Sequence, residues 1–286
     1  MRTFSQSAWY RYACCSAAAV AFLTAGPRAP AFSEESSACT RLDAGPVRSV
    51  ARVIDGETIA LDDGGEVRLI GALAPRGFDI GLQPGTWPVE TRTSGALLDL
   101  VLGKSVELKF DGARGDRHGR LLAHVFVVEG SQRVWVQGHL VEHGLARAYS
   151  AFGSRTCAAE LLAAERPARE ARRGLWAEAA YQVRRAADTE ELIAYRNTFQ
   201  LVEGTVASVA TGRSTIYLNF ERKWRGAFSA SLRRDDRGLL GVFTVNPKEL
   251  EGRTVRVRGW IEQRSSGPAI DLSAAGPLEV LDQASK

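Results

Sequence analysis

The sequence predicts a mainly β protein with helices (β+α): a five-stranded OB-type barrel capped by helices, followed by a second, smaller all-β domain of OB-like type. Three observations predict it. Between Ala51 and Arg76, A-R-V-I-D-G-E-T-I-A-L-D-D-G-G-E-V-R-L-I-G-A-L-A-P-R, the β-rich runs Val53-Ile54, Thr58–Leu61 and Glu66–Ile70 are separated by Asp55-Gly56 and Asp62-Asp63-Gly64-Gly65, residues that make bulges and turns. Downstream, further strand patterns alternate with helical ones, which fits the five short strands and helical caps of a small barrel. From Phe199 onward the apolar residues recur with period two between glycine-bearing turns.

The elements follow in order. The first 31 residues hold Arg2, Arg11 and Arg28 but no acid, then the apolar run Ala13–Ala25 and Ala29-Pro30-Ala31 before Phe32. A positive start, a short apolar run and an A-x-A site are the layout of a signal peptide, so an exported protein, periplasmic or secreted, is expected. The apolar run is shorter than the ~20 residues of a membrane span, which makes an uncleaved anchor the lesser alternative. Cys14 and Cys15 leave with this segment. Cys39 and Cys157 are then the two remaining thiols. In an oxidising compartment a disulfide between them is expected, the alternative being two buried thiols.

The whole chain carries 37 basic and 33 acidic residues, +4, and loss of the three leader arginines leaves 34 against 33. A near-neutral mature chain excludes binding to polyanions by net charge alone and leaves local patches as the only electrostatic route.

The first domain is placed at residues 39–181. After a glycine- and proline-rich loop, Glu90–Leu102 shows helical spacing (Ala96, Leu97, Leu100, Val101) and stops at Gly103. Ser105–Phe110 alternates as a strand, and a charged loop delivers Arg120 to the strand Leu121–Val128. The turn Glu129-Gly130-Ser131 leads to a strand Val134–Val136 and a short helix ending at Gly144. Cys157–Arg173 is rich in helix formers, with Pro167 expected to bend or restart it. His139 and His143, four apart on the short helix, have metal-binding spacing but no third ligand motif beside them.

Residues 182–194, polar and charged, read as a linker to a domain at 195–282 that is expected to fold by itself. From Tyr195 on there are 14 basic and 10 acidic residues, so +4 is concentrated here. Arg222, Lys223, Trp224 and Arg225 mix cations with an aromatic, as single-strand-binding surfaces do, and form the candidate nucleic-acid surface. The alternative is core aromatics flanked by solvated arginines.

The ordered motifs D-G-x-T, a turn, V-R-L-x-G-x-x-A-P, then G-D-R-H-G-R at Gly115–Arg120 and G-L-W at Gly174–Trp176 resemble the thermonuclease (staphylococcal nuclease-like) family. The resemblance covers about half the chain and implies an OB-fold barrel with a calcium-dependent phosphodiesterase site. Such a site holds the ion on oxygens, activates water with a carboxylate and binds phosphate with arginines. By position, Asp55, Glu57 and Thr58 fall on the metal motif, Glu57 replacing an aspartate with an arm longer by roughly 1.5 Å. Arg68 and Arg120 fall on the two phosphate-binding arginines. Where the family reads D-x-P-E, this chain reads Leu73-Ala74-Pro75-Arg76, so one ligand and the general base are replaced. The expectation is a nuclease-like protein with an incomplete acidic site that binds nucleic acid, another polyanion or a protein partner, using calcium only if active. The alternative is an active metal-dependent nuclease of DNA or RNA whose site is rearranged around Glu57 and one of Asp62, Asp63, Asp79 or Glu90.

Overall fold

The structure is a computed structural model that describes residues 39, 42–150, 155–235, 246–274 and 278–281. The expected signal segment lies outside them, as does Asp282. Among the described residues no helix is long and apolar enough to cross a membrane.

The first sheet begins with β1 (Asp43–Asp55), much longer than the Val53-Ile54 run suggested. Its first half is hidden in the sequence by Gly45-Pro46, which lie where the pairing with β5 (Ser105–Phe110) shifts register. Proline is tolerated at such a bulge. Gly45 is required there: a Cβ would stand 2.6 Å from the Leu108 carbonyl oxygen. β2 (Thr58–Leu61) and β3 (Glu66–Leu69) continue as an antiparallel meander. β6 (Leu121–Glu129) pairs antiparallel with β5 and parallel with β3, Val67 opposite Leu121, which closes the five strands on themselves. A short β4 (Ala72–Leu73) will find its partner further along the chain.

Helix α1 (Pro88–Val101) starts on a proline at its first turn and turns Val89, Thr93, Leu97 and Val101 inward, one residue per turn. β7 (Gln132–Trp135) extends a hairpin with β6, and Val136, expected in that strand, is the first residue of α2 (Val136–Glu142). β8 (Arg147–Ala148) pairs with β4. Helix α3 (Ala158–Glu170) runs through Pro167 instead of restarting there. Pro167 lies in the last turn, so its missing N–H removes a single hydrogen bond near an end. Cys39 and Cys157 are disulfide-bonded with Cα atoms 4.9 Å apart, tying the segment before β1 to the start of α3.

Residues 182–194, expected as a linker, hold β9 (Arg184–Arg185) and α4 (Thr189–Ala194). Their polarity is consumed locally. The buried Arg184 pairs with Glu191, donates to the Ala179 carbonyl at 2.8 Å and stacks on Tyr195 at 3.5 Å.

The second sheet repeats the pairing logic of the first. β10 (Phe199–Thr205) and β11 (Ser208–Thr211) are two halves of an interrupted first strand, followed by β12 (Thr215–Asn219) and β13 (Ser229–Arg233). β14 (Thr254–Arg264) pairs antiparallel with β10, and β15 (Gly267–Asp271) pairs antiparallel with β14 and parallel with β13. β9 and β16 (Glu279–Val280) add to the edges.

Both barrels lie in one compact unit. Val202, Val209, Ile216, Leu218, Ala230, Leu232, Val257 and Ile270 fill the second barrel's own core. Its outward Phe199 and Leu201 join Leu73, Trp87, Val89, Tyr149, Leu175, Trp176 and Tyr181 of the first barrel in a separate apolar cluster between the two.

Candidate functional site

The sharp turn from β1 to β2 puts the D-G-E-T motif at the edge of the first barrel. Asp55 is exposed, and its Oδ1 accepts the Glu57 N–H at 2.8 Å, an Asx turn. Glu57 points inward and is buried. Its Oε1 meets Arg68 Nη2 at 2.8 Å, and its Oε2 accepts the Ala74 N–H at 3.3 Å. Arg68 reaches it because Thr58 and Arg68 are directly opposed on β2 and β3. The Tyr149 hydroxyl hydrogen-bonds Arg68 as well.

Burial pushes the Glu57 carboxyl above its usual range, against the pull of Arg68 and Arg76. Burial alone lowers Arg68, but Glu57 and Tyr149 more than offset it, so that guanidinium is held more firmly protonated. Tyr149, buried between them, is pushed up to about 12. Thr58 Oγ1 is buried without a hydrogen-bond partner.

Leu73 and Arg76 occupy two different environments. Leu73 is 1% exposed and belongs to the apolar cluster that receives Phe199 and Leu201. Arg76 turns to Asp79, Nη2 to Oδ1 at 3.3 Å. The other Asp79 oxygen faces Arg147 Nη2 at 4.0 Å. Arg147 is fully buried: its guanidinium lies over the Tyr181 and Phe199 rings and donates to the Phe199 carbonyl.

Arg120 is placed by its loop. Asp116 Oδ1 accepts the N–H groups of His118 and Arg120, while Oδ2 holds Arg120 Nε at 2.8 Å and Nη2 at 2.7 Å. β3 and β6 are parallel with Arg68 opposite Leu122, so Arg120, two residues earlier, projects on the same side as Arg68.

Residues 66–178, from β3 to the turn after Trp176, match the family model described as Staphylococcal nuclease homologue. This part of the chain is a staphylococcal nuclease-like domain. No curated protein matches the chain. The match includes Arg68, Leu73, Arg76 and Arg120; Asp55, Glu57 and Thr58 precede it and the second barrel follows it.

The nuclease-like barrel thus brings Glu57, Thr58 and Arg68 together, with Asp55 at the rim and Arg76 within electrostatic reach. Of the other acids, Asp63, Asp79 and Glu90 are engaged elsewhere. Asp63 pairs with Arg48 at 2.9 Å and closes the β2–β3 turn through the Gly65 N–H. Asp62 is exposed in that same turn. Glu90 Oε2 accepts the N–H groups of Gly77 and Gly85, pinning the loop before α1. His139 and His143 stack at 4.1 Å, with His143 Nδ1 2.8 Å from the His139 carbonyl. Among the described residues no three His, Cys, Asp or Glu side chains converge as metal ligands.

Tyr149 and Arg147 were not singled out from sequence. Alternation in Arg147-Ala148-Tyr149 puts both on one side, the only signal the sequence offered for them. In the second barrel, Arg222, Lys223, Trp224 and Arg225 are all exposed.

Proposed function

We propose that the nuclease-like barrel has lost calcium-dependent cleavage of nucleic acids and that this exported protein binds nucleic acid or a similar polyanion. The observation that carries this reading is Leu73, packed at 1% exposure into an apolar cluster where the resemblance calls for a calcium ligand. Calcium takes six to eight oxygens. Here Asp55, Glu57 and Thr58 are the oxygen donors, and both Glu57 oxygens already face N–H groups of Arg68 and Ala74. That donor set does not fit the ion.

The base position fails in the same direction. Arg76 puts a guanidinium there, a group of N–H donors with no acceptor to take a proton from water. General-base catalysis is worth about 10²–10⁴ in rate, and charge stabilisation by a metal adds several kcal/mol, so loss of both leaves little of the family's chemistry.

Export is supported by the leader layout and by a structural disulfide, which persists in oxidising compartments. Binding is supported by the nuclease-like barrel itself and by the basic excess of the second barrel. Because Arg68 and Arg120 each hold a carboxylate partner, they bind phosphate only in competition with Glu57 and Asp116.

Calorimetric titration of the purified protein with calcium tests the reading. No saturable heat is expected at millimolar ion. Stoichiometric binding that disappears in Glu57→Gln would overturn it.

A further inference from the structure

The second barrel has two outward faces with opposite fates. The face of β10 and β14 is covered: Phe199 and Leu201 are in the inter-barrel cluster, and Trp260 packs against it. The face of β11, β12 and β13 lies outside that cluster: Arg264 of β14 reaches over Ser231, donating to its Oγ at 3.1 Å, and leaves Tyr217 exposed. Along β12, Ile216 and Leu218 lie in the core and Tyr217 between them points out, 39% exposed, while Asn219 at the end of the strand is buried.

Tyr217 stands among small neighbours. Its cross-strand partners are Ala210 on β11 and Ser231 on β13. Its ring leans along the sheet toward the β11–β12 turn, reaching 3.7 Å from where a Gly212 Cβ would stand. A tyrosine buries its ring when it can, and here the flanking side chains are too short to cover it.

A second exposed aromatic sits at the other end of β12. Trp224 is 48% exposed, with the Arg225 guanidinium 5.4 Å from its ring. The loop that carries it is anchored, not loose. Gly226 donates to the Ser266 carbonyl at 2.7 Å in the β14–β15 turn, with a positive φ of 86° that favours glycine. Cations flank both rings: Arg213 and Arg234 beside the β11–β12 turn, Lys223 and Arg225 beside Trp224.

We infer that the outer face of β12 and β13, from Arg213 past Tyr217 to Trp224, is a binding surface for single-stranded nucleic acid. Phosphates pair with the cations at the two ends, and unstacked bases lie on the Tyr217 and Trp224 rings. Every base has a π-face, so such stacking is tolerant of sequence, whereas bases inside a duplex are stacked on one another and cannot use the rings. The basic rim argues against an apolar protein partner. The inference deepens the polyanion reading by naming the ligand class and its place, and it stands on residues separate from the nuclease-like site.

The test is fluorescence anisotropy of the full protein with labelled oligothymidylate, beside a duplex of equal length and heparin. Single strands are expected to bind most tightly. Tyr217→Ala and Trp224→Ala, both at exposed positions, are each expected to weaken binding roughly tenfold, by loss of one stacked base. Lys223→Ala with Arg225→Ala should weaken all three polyanions and flatten the salt dependence. Circular dichroism checks that each variant is folded. Equal affinity for heparin, duplex and single strand, unmoved by the aromatic variants, would overturn this inference and leave the polyanion reading standing. Binding to none of the three would overturn both. Binding lost in Arg120→Ala but kept in Tyr217→Ala and Trp224→Ala would move the site to the nuclease-like barrel.

Discussion

Glu165 of α3 and Arg258 of β14 form a two-pronged ion pair, 2.9 and 3.2 Å, with both side chains buried between the barrels. Arg258 also donates to the Ala148 carbonyl and to Glu279, each at 2.7 Å. Burial alone lowers Arg258, but Glu165 and Glu279 override it and hold its pKa well above the ordinary arginine value. Breaking such a pair on one side leaves an uncompensated charge, so Glu165→Gln or Arg258→Met is expected to cost about 3–5 kcal/mol. Replacing both with apolar residues costs less than the sum. Urea unfolding of the singles and the double measures the difference.

The same pair bears on how the protein unfolds. A separately folding second domain requires two transitions. With Glu165–Arg258 and the cluster around Leu73, Trp176 and Phe199 shared, a single coincident transition by fluorescence and circular dichroism is expected. A fragment ending near residue 181 should expose that apolar cluster and aggregate.

Rebuilding the family's acids should fail. Leu73→Asp puts a carboxylate into the apolar cluster between the barrels, a change expected to cost about 3 kcal/mol or more even with the buried Arg147 opposite it on β8. Arg76→Glu adds a second acid beside Asp79 and Glu57. The triple variant with Glu57→Asp is therefore expected to show a lowered unfolding midpoint and no gain of cleavage.

His124 of β6 sets an acid limit. Its ring is buried edge-on to Trp135, whose Nε1–H donates to Nδ1 at 3.3 Å. Desolvation brings its pKa from 6.5 down to about 4. The folded value lies below the unfolded one, so the unfolded chain takes up the proton first. The contribution is whole above pH 6.5 and is lost as pH falls toward 4, by up to about 3 kcal/mol. Stability curves at stepped pH should be flatter over that window in His124→Phe than in wild type.

Reduction should weaken the fold as a whole. The Cys39–Cys157 bond spans a sequence separation of 118 residues. Loop-closure entropy for a loop of that size gives about 4–5 kcal/mol. A lower urea midpoint in dithiothreitol checks it.

Much of this was legible because local patterns were strong. The turn chemistry of Asp55-Gly56 and Asp62–Gly65 located β2 and β3, and helical spacing located α1. What stayed hidden was set by distant partners. Arg258 in V-R-V-R-G carries no local sign of its burial, because its partner Glu165 is 93 residues away. Leu73 reads as a lost ligand, but its role as packing depends on Phe199 and Leu201 arriving from the second barrel. The run Phe199-Gln-Leu-Val did carry a hint, since apolar residues on both faces of a strand call for cover on both sides. The segment 182–194 misled because one of its charges, Arg184, is buried and held by Glu191 and the Ala179 carbonyl, although Arg185 and Glu190 face water.

The central claim is that the nuclease-like barrel does not cleave. Incubating the purified protein with single- and double-stranded DNA and with RNA, in calcium, in magnesium and in chelator, decides it. Product formation indistinguishable between metal and chelator is expected on every substrate. Robust cleavage that chelator abolishes, and that Glu57→Gln or Arg68→Ala removes, would contradict the account.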